Sequence, residues 1–243
     1  SAIAQAHPAE VGDDYVDGLI AAGDPATAAT FVSGLAFNGP TNVGVAMAIA
    51  DAHPEVADEL VDALLVTGGL MDALNVVANL VDNGPMAIDD AQAIADAHPE
   101  VAANLVSTLM AAAKPADAAE VVTNLVDNGP SGVDAAQSIA DAYPDLADEL
   151  VNTLLAISDP MNASEVMDNL FTGGLTGDDL TAAAAIAAAH PVEVGDDYVN
   201  GLVASGGAEM ATAVTYINDQ IGANAAPGAA MASAALSDDL AGD

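Results

Sequence analysis

Cysteine and tryptophan are absent from this sequence, and Lys and Arg together occur once, as Lys114. Without cysteine the chain forms no disulfide bond. Asp and Glu number 37, so the formal net charge at pH 7 is −36. Nucleic acids and anionic membrane surfaces are bound through clusters of Lys and Arg, and a single basic residue is no cluster. The composition therefore excludes both as partners.

Aromatic residues make up only 3% of the chain, although hydrophobic residues make up 53%. A core must therefore be built from Ala, Val, Leu, Ile and Met, and small side chains let helices pack closely. No run of about 18 uncharged apolar residues occurs, which excludes a helix inserted across a membrane. Like charges at this density repel one another unless cations gather around them, so divalent cations are expected partners.

What the sequence does contain is an internal repeat. A His-Pro or Tyr-Pro step recurs at intervals of 46, 45, 45 and 47 residues, at His7-Pro8, His53-Pro54, His98-Pro99, Tyr143-Pro144 and His190-Pro191. A fixed period of this size is typical of a solenoid, in which each copy buries its apolar face against its neighbours. We expect one domain of five copies and a tail, at about 1–40, 41–85, 86–130, 131–177, 178–222 and 223–243.

Each copy is predicted to form three helices. The first ends at the His-Pro step, because a residue before Pro avoids helical backbone and Pro fits the first turn of a new helix. The second carries an apolar stripe, as in Leu146, Leu150 and Leu154, and stops at Gly or Pro. The third has the most continuous apolar face and ends at Asn-Gly-Pro. The predicted fold is all-α: a right-handed α-solenoid of five three-helix repeats of about 45 residues, plus a C-terminal helical tail.

An Asn-Leu pair recurs in the third helix of three copies, at Asn79-Leu80, Asn124-Leu125 and Asn169-Leu170. With three helices per copy of about 45 residues, this pattern resembles the armadillo and HEAT-type α-solenoids. In the armadillo family the Asn ladder lines a concave groove and holds the backbone of an extended peptide. The resemblance therefore implies a groove at Asn79, Asn124 and Asn169, although Gly34 and Tyr216 replace Asn in the end copies.

The end copies have features in common that favour assembly. Residues 11–16 and 194–199 both read Val-Gly-Asp-Asp-Tyr-Val, as is typical of capping repeats. After Gly222, the sequence AAMASAALSDDLAGD aligns with VAMAIADAHPEVADEL from Val45, which indicates the first helix of a sixth copy. We expect this tail to dock on the first copy of another molecule and so to form an open fibre. The predicted assembly residues are Met231, Ala235 and Leu236 on the tail and Ile3, Val11 and Leu19 on the first copy.

The recurring histidine is predicted to be structural rather than a metal ligand. Equivalent positions of successive copies lie about 10 Å apart, whereas a zinc ligand lies about 2 Å from its ion, so neighbouring copies cannot share one. Carboxylate pairs such as Asp58-Glu59 are too abundant for any one to be assigned as an acid–base couple, so no catalytic residue is assigned and no enzymatic activity is expected. No cofactor is expected beyond Ca²⁺ as a weak structural ion, at positions that the sequence does not identify.

Our first hypothesis for the function is a structural protein that self-assembles head to tail into a filament or surface layer, with cations screening its acidic surface. The alternative is a monomeric binding module that takes a basic extended peptide in an acidic groove. A third is a halophilic protein whose charge keeps it in solution. The opening SAIAQAHP lacks Met, as it would after cleavage of a secretory signal or if the sequence began inside a longer chain. Since Lys and Arg are also nearly absent, we expect a secreted or cell-surface location.

Overall fold

A computed structural model describes residues 2–172 and 176–222 of the protein. All regular structure in these two ranges is helical and no strand occurs in them, which confirms the all-α prediction. The described helices number fifteen and follow one another in tandem, as is consistent with helical repeats. None of them combines the length and low charge needed to cross a bilayer. The chain divides into two compact units, residues 1–121 and 122–243.

The first unit contains eight helices and the start of a ninth. Short 3₁₀ turns, Pro54–Val56 and Val81–Asn83, follow the fourth and sixth helices. The ninth helix begins in this unit and ends in the second. The helices are α1 (Ala2–Ala6), α2 (Pro8–Ala21), α3 (Pro25–Ala36), α4 (Pro40–Ala52), α5 (Ala57–Val66), α6 (Leu70–Leu80), α7 (Pro85–Ala97), α8 (Pro99–Ala111) and α9 (Pro115–Asp127).

The second unit continues in the same order of helices. A 3₁₀ turn, Pro144–Leu146, again leads into the second helix of a copy. The described helices of this unit are α10 (Pro130–Ala142), α11 (Ala147–Ala156), α12 (Pro160–Thr172), α13 (Gly177–Ala189), α14 (Gly195–Ser205) and α15 (Glu209–Gly222). First helices are thus α4, α7, α10 and α13, and third helices are α3, α6, α9, α12 and α15.

The His-Pro step forms the predicted corner between two helices. His98 ends α7 with φ −129° and ψ 78°, outside the helical region, and Pro99 is the first residue of α8. Tyr143 has nearly the same backbone, φ −133° and ψ 79°. Because the pyrrolidine ring itself disfavours helical backbone in the preceding residue, this corner is encoded locally and recurs in each copy.

The Asn-Gly-Pro sequence forms a second recurring turn. Gly84 has φ 99° and Gly129 has φ 73°, positive values that a side chain would make unfavourable. The following Pro85 and Pro130 begin α7 and α10, where the missing N–H costs nothing. The prediction that this sequence ends the third helix is confirmed.

The third helices α6 and α12 pack against helices of two successive copies. In the first unit α6 packs against α4 and α5 and also against α7 and α8. In the second unit α12 packs in the same way against α10, α11, α13 and α14. A third helix therefore buries its apolar side chains against both its own copy and the next, as the 0% to 4% exposure of Val166, Met167 and Leu170 illustrates.

Candidate functional site

An open groove lies between the first helix α10 and the third helix α12 of the second unit. Two cavities of about 350 Å³ and 330 Å³ form it, and Asp141 and Asn169 line both. The first cavity extends to the N-terminus of α13. The groove is lined by Asp134, Gln137, Ser138, Asp141, Ala142, Pro144, Glu165, Asn169, Leu170, Thr172, Thr176, Asp178 and Asp179.

Carboxylates dominate the chemistry of this lining. Five of them line the two cavities, and neither Lys nor Arg is among the lining residues. Ionised carboxylates only accept hydrogen bonds, so a ligand must supply donors and positive charge. Lys and Arg side chains, amines and hydrated metal cations meet that requirement. The five are Asp134, Asp141, Glu165, Asp178 and Asp179.

Asn169 is the predicted groove residue that lies in this groove. It is half-buried on α12, one residue before the buried Leu170. Asn124 is also half-buried in the second unit, at the same position of α9, and Asn79 is exposed on α6 of the first unit. Asn79, Asn124 and Asn169 thus occupy equivalent positions of three different third helices. At this position the amide is accessible, whereas the next residue lies in the core.

Gln137 is a groove residue that the sequence analysis missed. Its side chain is only 8% exposed, and its Nε2 lies 3.4 Å from the carbonyl oxygen of Asn162 and 3.5 Å from Oε2 of Glu165. Gln92, 45 residues earlier, is 7% exposed and donates from Nε2 to the carbonyl oxygen of Asp117 at 3.1 Å. In both copies the amide ties the first helix to the third. Gln92 and Gln137 recur in the sequence at the period of the copies, and this recurrence could have identified both as groove residues.

The N-terminus of α13 is held by a capping box at one end of the groove. Oδ2 of Asp179 accepts hydrogen bonds from both the backbone N–H and the hydroxyl of Thr176, each at 2.7 Å. The Thr176 hydroxyl in turn accepts from the Asp179 N–H at 3.3 Å. This reciprocal pairing orders the first turn of α13 and so fixes the backbone of Asp178 at the edge of the groove.

Carboxylates also crowd one another beside the groove. Burial, then the neighbouring Asp197 and Glu165, raise the pKa of Asp168 on α12. Oδ2 of Asp197 accepts a hydrogen bond from the Ser164 hydroxyl at 2.6 Å. In the first unit, burial, then Glu55 and Asp89, raise the pKa of Asp90 in the same way. Both shifts follow in part from acidic neighbours, so the local field favours added cations.

A less acidic cavity occupies the equivalent place in the last copy. Thr181, Ala184 and Thr212 lie 47 residues after Asp134, Gln137 and Glu165, and they line a cavity of about 420 Å³. The remaining lining residues are Leu180, Tyr198, Ala208 and Glu209. This cavity therefore has one carboxylate in its lining, whereas the acidic groove has five. The groove between first and third helices therefore recurs with a different lining.

Tyr216 replaces the ladder asparagine on α15 and has a structural role there. Its hydroxyl donates to the carbonyl oxygen of Ala187 at 2.9 Å, and its ring lies 5.0 Å from that of Tyr198 in an edge-to-face arrangement. Burial, then Tyr198 and Asp196, raise the pKa of Tyr216 to about 12. The hydroxyl thus stays protonated and joins α15 to α13.

Three of the recurring histidines contact the second helix of the preceding copy. The Nε2 atoms of His53, His98 and His190 lie 3.3, 2.9 and 2.6 Å from side-chain oxygens. Their respective partners, Asp17, Asp62 and Asn152, precede them by 36, 36 and 38 residues, a spacing that the sequence analysis overlooked. In the described ranges no three His, Asp or Glu side chains come together as a set able to hold a metal ion.

The predicted assembly residues are described only in part. Ile3 on α1 is 68% exposed, whereas Val11 and Leu19 on α2 are half-buried. Met231, Ala235 and Leu236 lie outside the described residues.

Tandem packing of helices places the protein among all-helical proteins with an architecture consistent with helical repeats. No family model matches the chain, and neither a curated protein nor a solved structure does.

Proposed function

We propose that the chain is a binding module that takes a basic extended peptide in the acidic groove of its second unit. The observation that carries this proposal is the groove lining, in which Asn169 accompanies five carboxylates and no basic side chain. Carboxylates pair with Lys and Arg, and an amide side chain can both donate to and accept from a peptide backbone. The groove therefore offers partners for the side chains and for the main chain of such a ligand.

The cavity in the last copy supports an extended ligand with two kinds of side chain. An extended peptide advances about 3.3 Å per residue and packed helices lie about 10 Å apart, so about three residues separate equivalent points of neighbouring copies. A basic residue suits the cavity at Asp141, and a less polar residue suits the cavity at Ala184. The proposed ligand alternates the two at this spacing.

The finer architecture is part of the proposal. Five copies of about 45 residues form a right-handed α-solenoid similar to that of armadillo proteins. Divalent cations, Ca²⁺ among them, gather at the acidic surface as screening ions, and the protein is secreted or displayed at a cell surface. The crowded carboxylates at Asp90 and Asp168 support the cation part of this proposal.

Fluorescence anisotropy with a labelled peptide of Lys and Leu residues tests the binding proposal. Asn169→Ala removes the amide and Asp141→Asn removes one charge at the centre of the groove. Each lost hydrogen bond to the ligand is worth about 1 to 1.4 kcal/mol, so we expect each variant to raise the Kd by about five- to tenfold.

Matched controls separate the groove from the general charge of the surface. Asp127→Asn, on an exposed residue of α9 outside the groove lining, changes the net charge by the same amount as Asp141→Asn. Asn200→Ala removes an exposed amide from α14. We expect both controls to bind within about twofold of the unmodified protein. Equal losses in Asp127→Asn and Asp141→Asn would overturn the proposal.

Self-assembly into a filament or surface layer is a second candidate function. Ile3 on α1 is exposed and Val11 and Leu19 on α2 are only half-buried, which leaves apolar surface on the first copy and supports this candidate. Size exclusion with light scattering, in Ca²⁺ and then in chelator, tests it. Assembly predicts a molar mass well above that of one chain in Ca²⁺, whereas one chain in both conditions would exclude it.

A further inference from the structure

The last described third helix exposes apolar positions that are buried in other copies. Val214 and Met210 on α15 lie three and seven residues before Ile217 and are 42% and 41% exposed. The residues at these two positions of α3, α6 and α12 are 0% exposed: Val32, Val77 and Met167, and Ala28, Ala73 and Ala163. In those copies the helices of the next copy pack on the third helix, and no described helix follows α15.

A specific contact in the first unit shows how a first helix packs on the copy before it. Ile49 of α4 lies against α2 and α3, where its Cδ1 is 3.3 Å from the point that a Cβ of Gly12 would occupy. Phe31 lies 3.6 Å from the same point. The absence of a side chain at Gly12 thus leaves room for the buried isoleucine of the following copy.

A related surface lies in the last copy. Gly195 corresponds to Gly12 within the shared Val-Gly-Asp-Asp-Tyr-Val sequence. A depression beside Gly195 is lined by residues of α14 and α15, among them Asp196, Val199 and Ile217. The Tyr216 hydroxyl lies 3.0 Å from the point that a Cβ of Gly195 would occupy, much as Phe31 lies close to that point at Gly12. The depression is therefore shallow, and an apolar side chain that packs on it would rest against Val199, Tyr216 and Ile217.

Residues after 222 carry a branched apolar side chain at the position that matches the buried isoleucine of a first helix. Ile49, Ile94 and Ile139 each lie nine residues after the Pro that begins their first helix and are 1% to 3% exposed. Leu236 lies nine residues after Pro227. This alignment superposes Pro227 on the proline that begins each first helix, rather than matching identical residues along the helix. It places Ala235 at the position of Ala48, Ala93 and Ser138, which are exposed.

We propose that residues 227–239 dock on α14 and α15 of their own chain as the first helix of a further copy, with Leu236 on the depression that Val199, Tyr216 and Ile217 line. Residues 223–226 are the link to α15, and residues 81–84 likewise join α6 to Pro85. A link this short gives an effective concentration on the order of millimolar, so at micromolar protein the own-chain contact prevails over a second copy. Docking covers the apolar face of the last copy.

Thiol labelling of the full chain tests the contact, because the sequence has no cysteine. Asp196→Cys places a single thiol at the rim of the depression. In a double variant that also carries Leu236→Asp, this thiol should become exposed and react with a maleimide at least five times faster. Ala235→Asp makes the same charge change one residue away and should alter the rate less than twofold. Circular dichroism checks that all three proteins keep their helical content.

The concentration dependence of labelling distinguishes docking of a chain's own tail from docking of the tail of a second copy. Slow labelling of the Asp196→Cys protein at every concentration, with light scattering at the mass of one chain, is the result expected. Protection that strengthens with concentration would show docking on a second copy and overturn the own-chain proposal. Equal acceleration by Leu236→Asp and Ala235→Asp, or none by either, would overturn the contact itself.

Discussion

Leu125 is the buried leucine of the third helix α9 and has 0% exposure. Truncation of a fully buried leucine removes apolar contacts and leaves a cavity. We expect Leu125→Ala to lower the free energy of unfolding by about 2 to 5 kcal/mol, measured by urea denaturation. Val66→Ala, on a side chain that is 79% exposed, should change it by less than about 0.5 kcal/mol.

His98 contacts Asp62 at 2.9 Å, yet the equivalent residue of the next copy is Tyr143. Since a tyrosine hydroxyl also forms hydrogen bonds, we expect His98→Tyr to shift the melting temperature by no more than about 2 °C. The melting curve should be unchanged by a chelator in both proteins. A loss of folding that added zinc reverses only in the unmodified protein would instead establish His98 as a ligand.

At the level of the elements, four of the second helices, α2, α5, α8 and α11, end in a Schellman turn. The N–H of Gly68 donates to the carbonyl oxygen of Leu65, and that of Ala113 donates to the carbonyl oxygen of Met110. The residue in the left-handed region is Gly23 or Gly68 in two copies, with φ 75° and 78°, but Ala113 in a third, with φ 57°. Left-handed backbone costs a residue with a side chain about 1 to 2 kcal/mol.

Ala113→Gly should therefore stabilise the protein. The relief of the left-handed backbone exceeds the added entropy of glycine in the unfolded chain, so we expect the free energy of unfolding to rise by about 0.5 to 1 kcal/mol. The reverse change, Gly68→Ala, should lower it by about 1 kcal/mol. Urea denaturation of the two variants measures both, and a fall for Ala113→Gly would contradict the strain argument.

At the level of the whole molecule, the net charge of −36 is carried by an Ala-rich chain with few aromatics. Self-repulsion of this size opposes the compact state, and dissolved cations reduce it. We expect the melting temperature to rise with ionic strength, and to rise further with millimolar Ca²⁺ at matched ionic strength, because ions that bind the folded state stabilise it. Melting curves that respond to neither would contradict this expectation.

The same repulsion contributes to the dependence of stability on pH. The pKa values of Asp90 and Asp168 are raised above the ordinary 3.8 in the folded protein, chiefly by burial and then by acidic neighbours. A carboxyl with a raised folded pKa contributes stability that is complete below its ordinary pKa and is lost as pH rises through the folded value. Melting at constant ionic strength should therefore show stability rising from pH 7 toward about 4, and Asp168→Asn should weaken the trend.

The local sequence was enough to predict the helices and the turns between them. His98-Pro99 and Asn83-Gly84-Pro85 form the predicted corners, because the ring of proline and the missing side chain of glycine act on backbone angles within one or two residues. Repetition of these signals made the all-α class and the tandem order predictable without any knowledge of packing. The position of Asn169 beside a buried leucine also followed from helical spacing alone.

Tertiary structure decided which side chains meet across the copies. Lys114 donates from Nζ to the carbonyl oxygen of Val81 at 2.9 Å, and Gln137 approaches Glu165, although 33 and 28 residues separate the partners. Which five of the 37 acidic residues line the groove was likewise not predictable. Such contacts depend on the angles and offsets at which whole helices pack. Those are set by the summed fit of many apolar side chains rather than by any short stretch of sequence.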